Sequence, residues 1–207
     1  MLQNNNLIIG YSGHAFVVLD SFLSSGGEVQ YYSEMHKKDF NPFDLFYLGN
    51  ESDSKFSGWE MDLEFILGIG NNMLREKIGL NIKSKNKKII NVIHPNSLIS
   101  NKVDLGNGVF ISKGAMINPL SIVNDFAILN SGCIIEHESE IGQATHIAPG
   151  TVIAGNVKIG NRTFVGANSV VKEGITIGDD VIIGAGSVII KDVPSGSKVV
   201  GNPGKII

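Results

Sequence analysis

Aliphatic residues recur every six positions through the second half of the chain. Stepping from Ile93 gives Ile99, Leu105, Ile111, Ile117, Val123, Leu129, Ile135, Ile141 and so on to Ile177, Ile183 and Ile189. All seventeen positions are Ile, Leu or Val, with no insertion. Four residues after each comes a small or β-branched residue such as Ala115, Cys133, Thr145, Ser169 or Val193. A helix cannot hold this pattern on one face, because six steps of about 100° turn a side chain by about 240°. A strand alone cannot either, since its alternation has period two. A parallel β-helix can, with a turn after each pair of inward residues, and three hexads complete one coil. The pattern therefore predicts a solenoid from Ile93 to about Val193, free of loops and helices. Gly and Asn are expected at its turns as suppliers of positive φ.

The first ninety residues follow other periods. Leu7-Ile8-Ile9 reads as a short strand ending in the turn Gly10-Tyr11-Ser12-Gly13-His14, followed by an apolar helix from Ala15 to Leu23. Val29 to Tyr32 reads as a second strand and Glu64 to Leu67 as a third. The third runs into Gly68-Ile69-Gly70-Asn71-Asn72 and a charged helix from Met73 to Ile78. Strand, glycine turn, helix and strand at this spacing predict a small parallel α/β unit. The polar stretch Lys83 to Lys88 is expected to join it to the solenoid, dividing the chain into residues 1–88 and 89–207. Ligands of such sheets gather at the carboxyl ends of the strands. The turn at Gly10 to His14 can present amides to a phosphate there, or serve only as a tight turn into a helix.

Composition narrows the setting. The 207 residues carry a net charge of −3 and a pI near 5.9, which gives no support for binding nucleic acid or an anionic membrane. No apolar run is long enough to span a bilayer, and Met1-Leu2-Gln3-Asn4 lacks a basic signal-peptide start. The single Cys133 excludes an internal disulfide and fits a reducing compartment, so a cytoplasmic location is expected. Cys133 falls on an inward small position and is expected in the core. Likewise His94, which precedes Pro95, is expected to be structural, and Trp59 to pack.

The chemistry-bearing cluster is Glu136-His137-Glu138, with His146 nine residues on. On the residues alone, a histidine between two glutamates at a solenoid corner is equally a solvated surface cluster. These motifs, with the Gly10–His14 turn, Gly68 to Asn72 with Arg75, His94-Pro95 and the tail Gly201-Asn202-Pro203-Gly204-Lys205, resemble one known family over nearly the whole chain. It is the bacterial sialic-acid O-acetyltransferases and nucleotide-linked amino-sugar N-acetyltransferases. The resemblance implies a Rossmann-like α/β domain followed by a left-handed β-helix, a homotrimer with active sites between subunits, and acetyl-CoA as donor without a metal. It further implies N-acetylation of the 4-amino group of a UDP- or dTDP-linked 4-amino-4,6-dideoxy sugar, in surface-glycan or O-antigen synthesis.

Residue by residue, the resemblance makes His137 the general base and Glu138 its orienting carboxylate. It gives acetyl-CoA contacts to His146, Ala167 and Ala185, and nucleotide-sugar contacts to Gly10, Ser12, Gly13, His14, Ser33, Glu34, Gly70 and Asn71. At His36-Lys37-Lys38 the sequence departs from the acidic residues the family carries near its nucleotide. Hexad arithmetic adds that His137 sits at a corner with Gly155 one coil above, and that His146 points outward from another face of the same chain. Other readings of the scaffold are a three-histidine zinc carbonic anhydrase, sialic acid O-acetylation, and a binding module without catalysis.

Overall fold

A computed structural model describes residues 5–207; the first four residues, where the signal-peptide expectation falls, lie outside it. The amino-terminal unit is a five-stranded parallel sheet. Its strands are β1 (Asn6–Ile9), β2 (Tyr31–Ser33), β3 (Phe46–Gly49), β4 (Glu64–Leu67) and β5 (Lys88–Ile89), in the order β3-β2-β1-β4-β5. Helix α1 (Gly13–Ser24) connects β1 to β2, and α2 (Asn72–Ser84) connects β4 to β5. The strand order reverses between β1 and β4, which opens a crevice beyond their carboxyl ends. The central strands are buried on both faces, as Leu7, Ile8, Phe65 and Ile66 show, and this explains why they read as unbroken apolar runs.

Two details differ from the sequence reading. The sequence does not predict strand β3, because Leu45-Phe46-Tyr47-Leu48 is a short apolar run without a period to classify it. Helix α2 continues to Ser84, so Lys83 and Ser84 form its last turn and not a joint. Gly79 masked this continuation. A Cβ there would lie 2.8 Å from the Phe126 ring, so the glycine allows the helix close onto the solenoid. Strand β5 then spans the boundary placed between residues 88 and 89.

From Val92 onward every hexad contributes a two-residue strand, and strands eighteen residues apart pair in parallel. Three sheets result. The first face holds Ile134–Ile135 and Val152–Ile153, the second Glu140–Ile141 and Lys158–Ile159, and the third Ile128–Leu129, His146–Ile147 and Phe164–Val165. No helix or projecting loop interrupts the coils between Ile99 and Ile189. The family's left-handed β-helix is the fold. Inward Ser and Thr are tolerated because their hydroxyls find carbonyls: Ser139 donates to Ala154 at 2.9 Å and Thr163 to Gly178 at 2.7 Å in the next coil, while Ser97 and Ser187 turn back to His94 and Gly184 in their own.

One residue in every hexad from Gly108 to Gly186 takes positive φ, and it stands three places after the aliphatic residue. The glycine immediately after the aliphatic residue has a different cause from the one expected. A Cβ on Gly142 would lie 2.5 Å from the backbone of Gly160, so that position needs space for coil stacking and not a special φ. The solenoid also closes two residues early. Val193 bridges Ile177 and Val199 pairs with Ile183, sixteen residues on instead of eighteen. Val193 therefore fills an aliphatic position of the last coil and not the small one.

The α/β unit docks on the third face. Phe110 and Ile128 join a core with Ile8, Tyr11 and Ala15, while Phe126 and Ala144 join Leu67, Ile78 and Ile82. No helix of the described residues is long and apolar enough to cross a membrane.

Candidate active site

His137 stands at the corner between the first and second faces. Its carbonyl accepts from Asn156 N at 2.9 Å in the next coil, and Glu138 N donates to Pro119 O at 3.1 Å in the previous one, so neighbouring coils hold the corner. Glu138 occupies the left-handed position, with φ 59°, and its Oε2 lies 3.1 Å from His137 Nδ1. With Nδ1–H donating to that carboxylate, Nε2 keeps its lone pair for a proton from outside. Both side chains are 59% exposed. Gly155 lies against the ring: a Cβ there would sit 2.7 Å from His137 Cε1 and 2.8 Å from Nε2. The missing side chain leaves the imidazole its place and an open approach.

The crevice of the α/β unit has a volume of about 340 Å³, within the range of small-ligand sites. Gly10, Ser12, Glu34, Gly70 and Asn71 line it. Gly10 takes φ +86°, and a Cβ on it would meet Ile69 Cγ1 at 2.9 Å. Ser12 caps α1 without using its hydroxyl, so that group and the first-turn amides are open to an anion. Asn71 caps α2 by accepting from Leu74 N at 2.9 Å.

Ser33 lies behind the lining, fully buried, with its hydroxyl donating to Glu51 at 2.6 Å. Gly13 and His14 lie outside the lining. Asn50, Glu51 and Ser52 line it, and sequence reasoning missed them together with β3, whose carboxyl end carries them. Glu34 and Glu51 bring two carboxylates to the crevice. Hydrogen bonds from Met35 N and Tyr11 N, with the Lys38 charge, outweigh desolvation and hold the Glu34 carboxyl below its usual range.

His14 and His146 meet at the seam between the two units, ring centroids 5.9 Å apart, packed edge-on to Phe110 and Phe164 respectively. His146 points outward from the solenoid, yet the α/β unit covers it to 9% exposure. Asn130 Oδ1 accepts from Ser131 N at 2.8 Å, so its amide Nδ2 faces His146 Nε2 at 3.1 Å and donates to it. His146 therefore carries its proton on Nδ1. Burial, then the nearby Arg75 charge, pushes His14 down to about 4 and His146 down to about 3; His14 adds to the shift of His146, and the Gly70 backbone opposes it.

The folded chain resists protonating these rings, so their stabilising effect is complete above the ordinary pKa of 6.5 and is lost as pH falls through about 4 and about 3. Each contributes at most about 1.4 kcal/mol per pH unit in that window. Thermal unfolding should show a falling Tm below pH 6.5, with a shallower fall in His14→Leu. Equal slopes in the variant and the parent would place the acid sensitivity elsewhere.

His137 and His146 stand on different sides of the coil, the one at the corner of the first and second faces, the other on the third face. Ala167 and Ala185 stack in one column with Pro149, at the corner between the third and first faces; Gly186 N donates to Ala167 O and Asn168 N to Pro149 O. Cys133 is fully buried, and burial pushes its thiol up to about 12, as befits a core position. His94 is buried and its Nδ1 accepts from Asn96 N at 3.0 Å, while Trp59 stacks on Phe65 at 5.4 Å.

A strand-order reversal above a glycine turn, followed by a hexapeptide coil carrying a carboxylate-held histidine, has known counterparts. The family described as PglD N-terminal domain matches residues 5–81, and the bacterial transferase hexapeptide repeat matches residues 138–173 and 156–191. The structure of PerB from Caulobacter crescentus, solved with CoA and GDP-perosamine, is similar over 99% of this chain and 97% of its own, at 33% identity and a TM-score of 0.92. Two variants of that enzyme at one histidine were solved with the same ligands. The acetyltransferase domain of PglB from Neisseria gonorrhoeae, solved with acetyl coenzyme A, shares 27% identity over 99% of this chain and 100% of its own, with a TM-score of 0.90. WeeI from Acinetobacter baumannii, at 22% identity over 98% of this chain and 99% of its own, shares the fold with a TM-score of 0.79. The chain belongs to the hexapeptide-repeat sugar acyltransferases with a PglD-type amino-terminal domain.

Proposed function

We propose that this enzyme transfers the acetyl group of acetyl-CoA to the 4-amino group of a nucleotide-linked 4-amino-4,6-dideoxy sugar. The observation that carries this reading is the His137–Glu138 couple, with Nε2 open above Gly155, in a chain that also bears a nucleotide-sized crevice. The sugar amine attacks the thioester carbonyl carbon while His137 Nε2 takes the amine proton. Glu138 stabilises the imidazolium that forms. Collapse of the tetrahedral intermediate breaks the C–S bond, and the imidazolium returns its proton to the departing CoA thiolate. In this reading residues 1–88 hold the nucleotide at Gly10, Ser12, Glu34, Gly70 and Asn71, with Gly13 and His14 shaping the helix start and buried Ser33 holding Glu51 behind the lining. Residues 89–207 perform the transfer.

The assembly is part of the proposal. Leu98, Met116, Ile134, Val152, Val170 and Val188 form an outward apolar column on the first face, and Leu98 is 65% exposed. A contiguous apolar stripe of this kind marks a protein interface. It is flanked by the His137 corner on one side and the Ala167–Ala185 corner on the other. Packing three copies through it brings the base of one chain to the CoA edge of the next, beside the seam where His146 stands. The crevice lies on the third-face side, away from its own His137, which supports the same shared site in a homotrimer.

A cytoplasmic role in surface-glycan synthesis goes with this reading, and UDP or dTDP is the expected carrier. The test is thiol release from acetyl-CoA against UDP-, dTDP- and GDP-linked 4-amino sugars and free sialic acid. Turnover with one nucleotide amino sugar is expected. Turnover with free sialic acid alone would overturn the reading, and so would tight nucleotide binding without any turnover.

A further inference from the structure

The left-handed corners facing the α/β unit leave carbonyls over. The coil ladder uses the carbonyls of Asp125, Gln143 and Asn161, which accept from the next coil's Ala144, Arg162 and Asp180 amides. The oxygens of Phe126, Ala144 and Arg162 point off the ladder, on three successive coils of one corner. Once a second unit covers that corner, each needs a donor.

Two side chains from the first turn of α2 supply them. Arg75, 1% exposed, donates from Nε to Phe126 O at 2.7 Å and from Nη2 to Ala144 O at 2.7 Å. Asn72 Nδ2 donates to Arg162 O at 2.8 Å and Thr163 O at 3.1 Å, and Asn72 Oδ1 accepts from Arg75 Nη2 at 2.9 Å. The spacing of three residues puts both on one face of the helix. The other end of the guanidinium turns back into its own unit. Nη1 donates to Ile69 O at 3.1 Å and Gly70 O at 2.9 Å, and Ile69 and Gly70 are the wall of the nucleotide crevice.

We infer that Arg75 and Asn72 are positioning residues of the acetyl transfer: they peg the wall of the nucleotide crevice to three coils of the solenoid and so set where the carried amine stands relative to the thioester. The inference rests on the function proposed above. Neither side chain lines the crevice beside Gly10 and Glu34, so neither is needed for nucleotide contact there. A planar guanidinium reaches both units at once, and an ammonium at the same place satisfies only part of the set.

The test uses full-length Arg75→Lys and Asn72→Ala. It measures kcat with the best acceptor, the Kd of the nucleoside diphosphate and of CoA by calorimetry, and Tm. Both Kd values should stay within about threefold while kcat per nucleotide-binding site falls on the order of 10–100-fold, the cost of a misplaced reacting group. A merely structural pair would lower Tm and leave kcat per folded site unchanged. That result, or a loss of nucleotide affinity large enough to account for the lost rate, overturns the inference. If Arg75→Lys fails to fold, Asn72→Ala decides alone, since it removes two contacts across the seam and leaves the guanidinium in place. A parent chain with no turnover refutes the proposed function and this role with it. An active parent with unaffected variants refutes only this role.

Discussion

Replacing His137 with alanine should lower kcat by roughly 10²–10⁴, the usual cost of losing a general base, while leaving nucleotide affinity unchanged. The ring lies at an exposed solenoid corner, its backbone carbonyl is held by Asn156, and no core residue depends on it, so the fold should survive. Glu138→Ala should cost less, because the carboxylate at 3.1 Å orients the ring and does not itself carry the substrate's proton. A second variant reaches the same ring from outside. In Gly155→Ala the new methyl would lie 2.7 Å from His137 Cε1 and must push the imidazole off Gly155, so kcat should fall with His137 and Glu138 both intact. Stopped-assay thiol release settles all three. His137→Ala activity within a few-fold of the parent would remove His137 from the role of base.

The second large effect is a recovery. A chain with Gly10→Val should bind no nucleotide: its backbone sits at φ +86°, and the Cβ alone would approach Ile69 Cγ1 to 2.9 Å at the floor of the crevice. A branched side chain in the left-handed region is strained besides. This variant and His137→Ala should each be nearly inactive alone. Mixed, unfolded and reassembled, they should regain a substantial part of the parent activity, because some sites then combine an intact crevice from one chain with an intact His137 from its neighbour. No recovery, with mixed assembly verified by mass, would mean that each chain completes its own site. Full parent activity in a monomer would overturn the shared site by a different route.

The residues that were readable in advance share one property. Strand pairing through the solenoid as far as Ile189 runs between positions i and i+18, so the sequence period carries the pairing itself. Ile135 over Ile153 and Gly155 over His137 follow from counting. Where the count changes, as at Val193, nothing in the local residues announced it, because a sixteen-residue coil still offers a β-branched residue for the inward place.

The amino-terminal unit was readable in outline for a different reason: buried parallel strands between glycine turns stand out as apolar runs. Its crevice was only half anticipated, since Asn50, Glu51 and Ser52 reach it through β3, a strand with no periodic mark.

By itself, then, the amino-acid sequence determined the β-helix, the corner that carries His137 and Glu138, and the glycine turn at Gly10, because each depends on contacts repeated locally or at a fixed interval. The tertiary structure alone decided the seam. It set His14 against His146, covered an outward histidine that counting left exposed, and buried Arg75 against carbonyls 51 and 69 residues away. Those contacts join two units of unrelated period, and only the docking of one surface on the other brings them together.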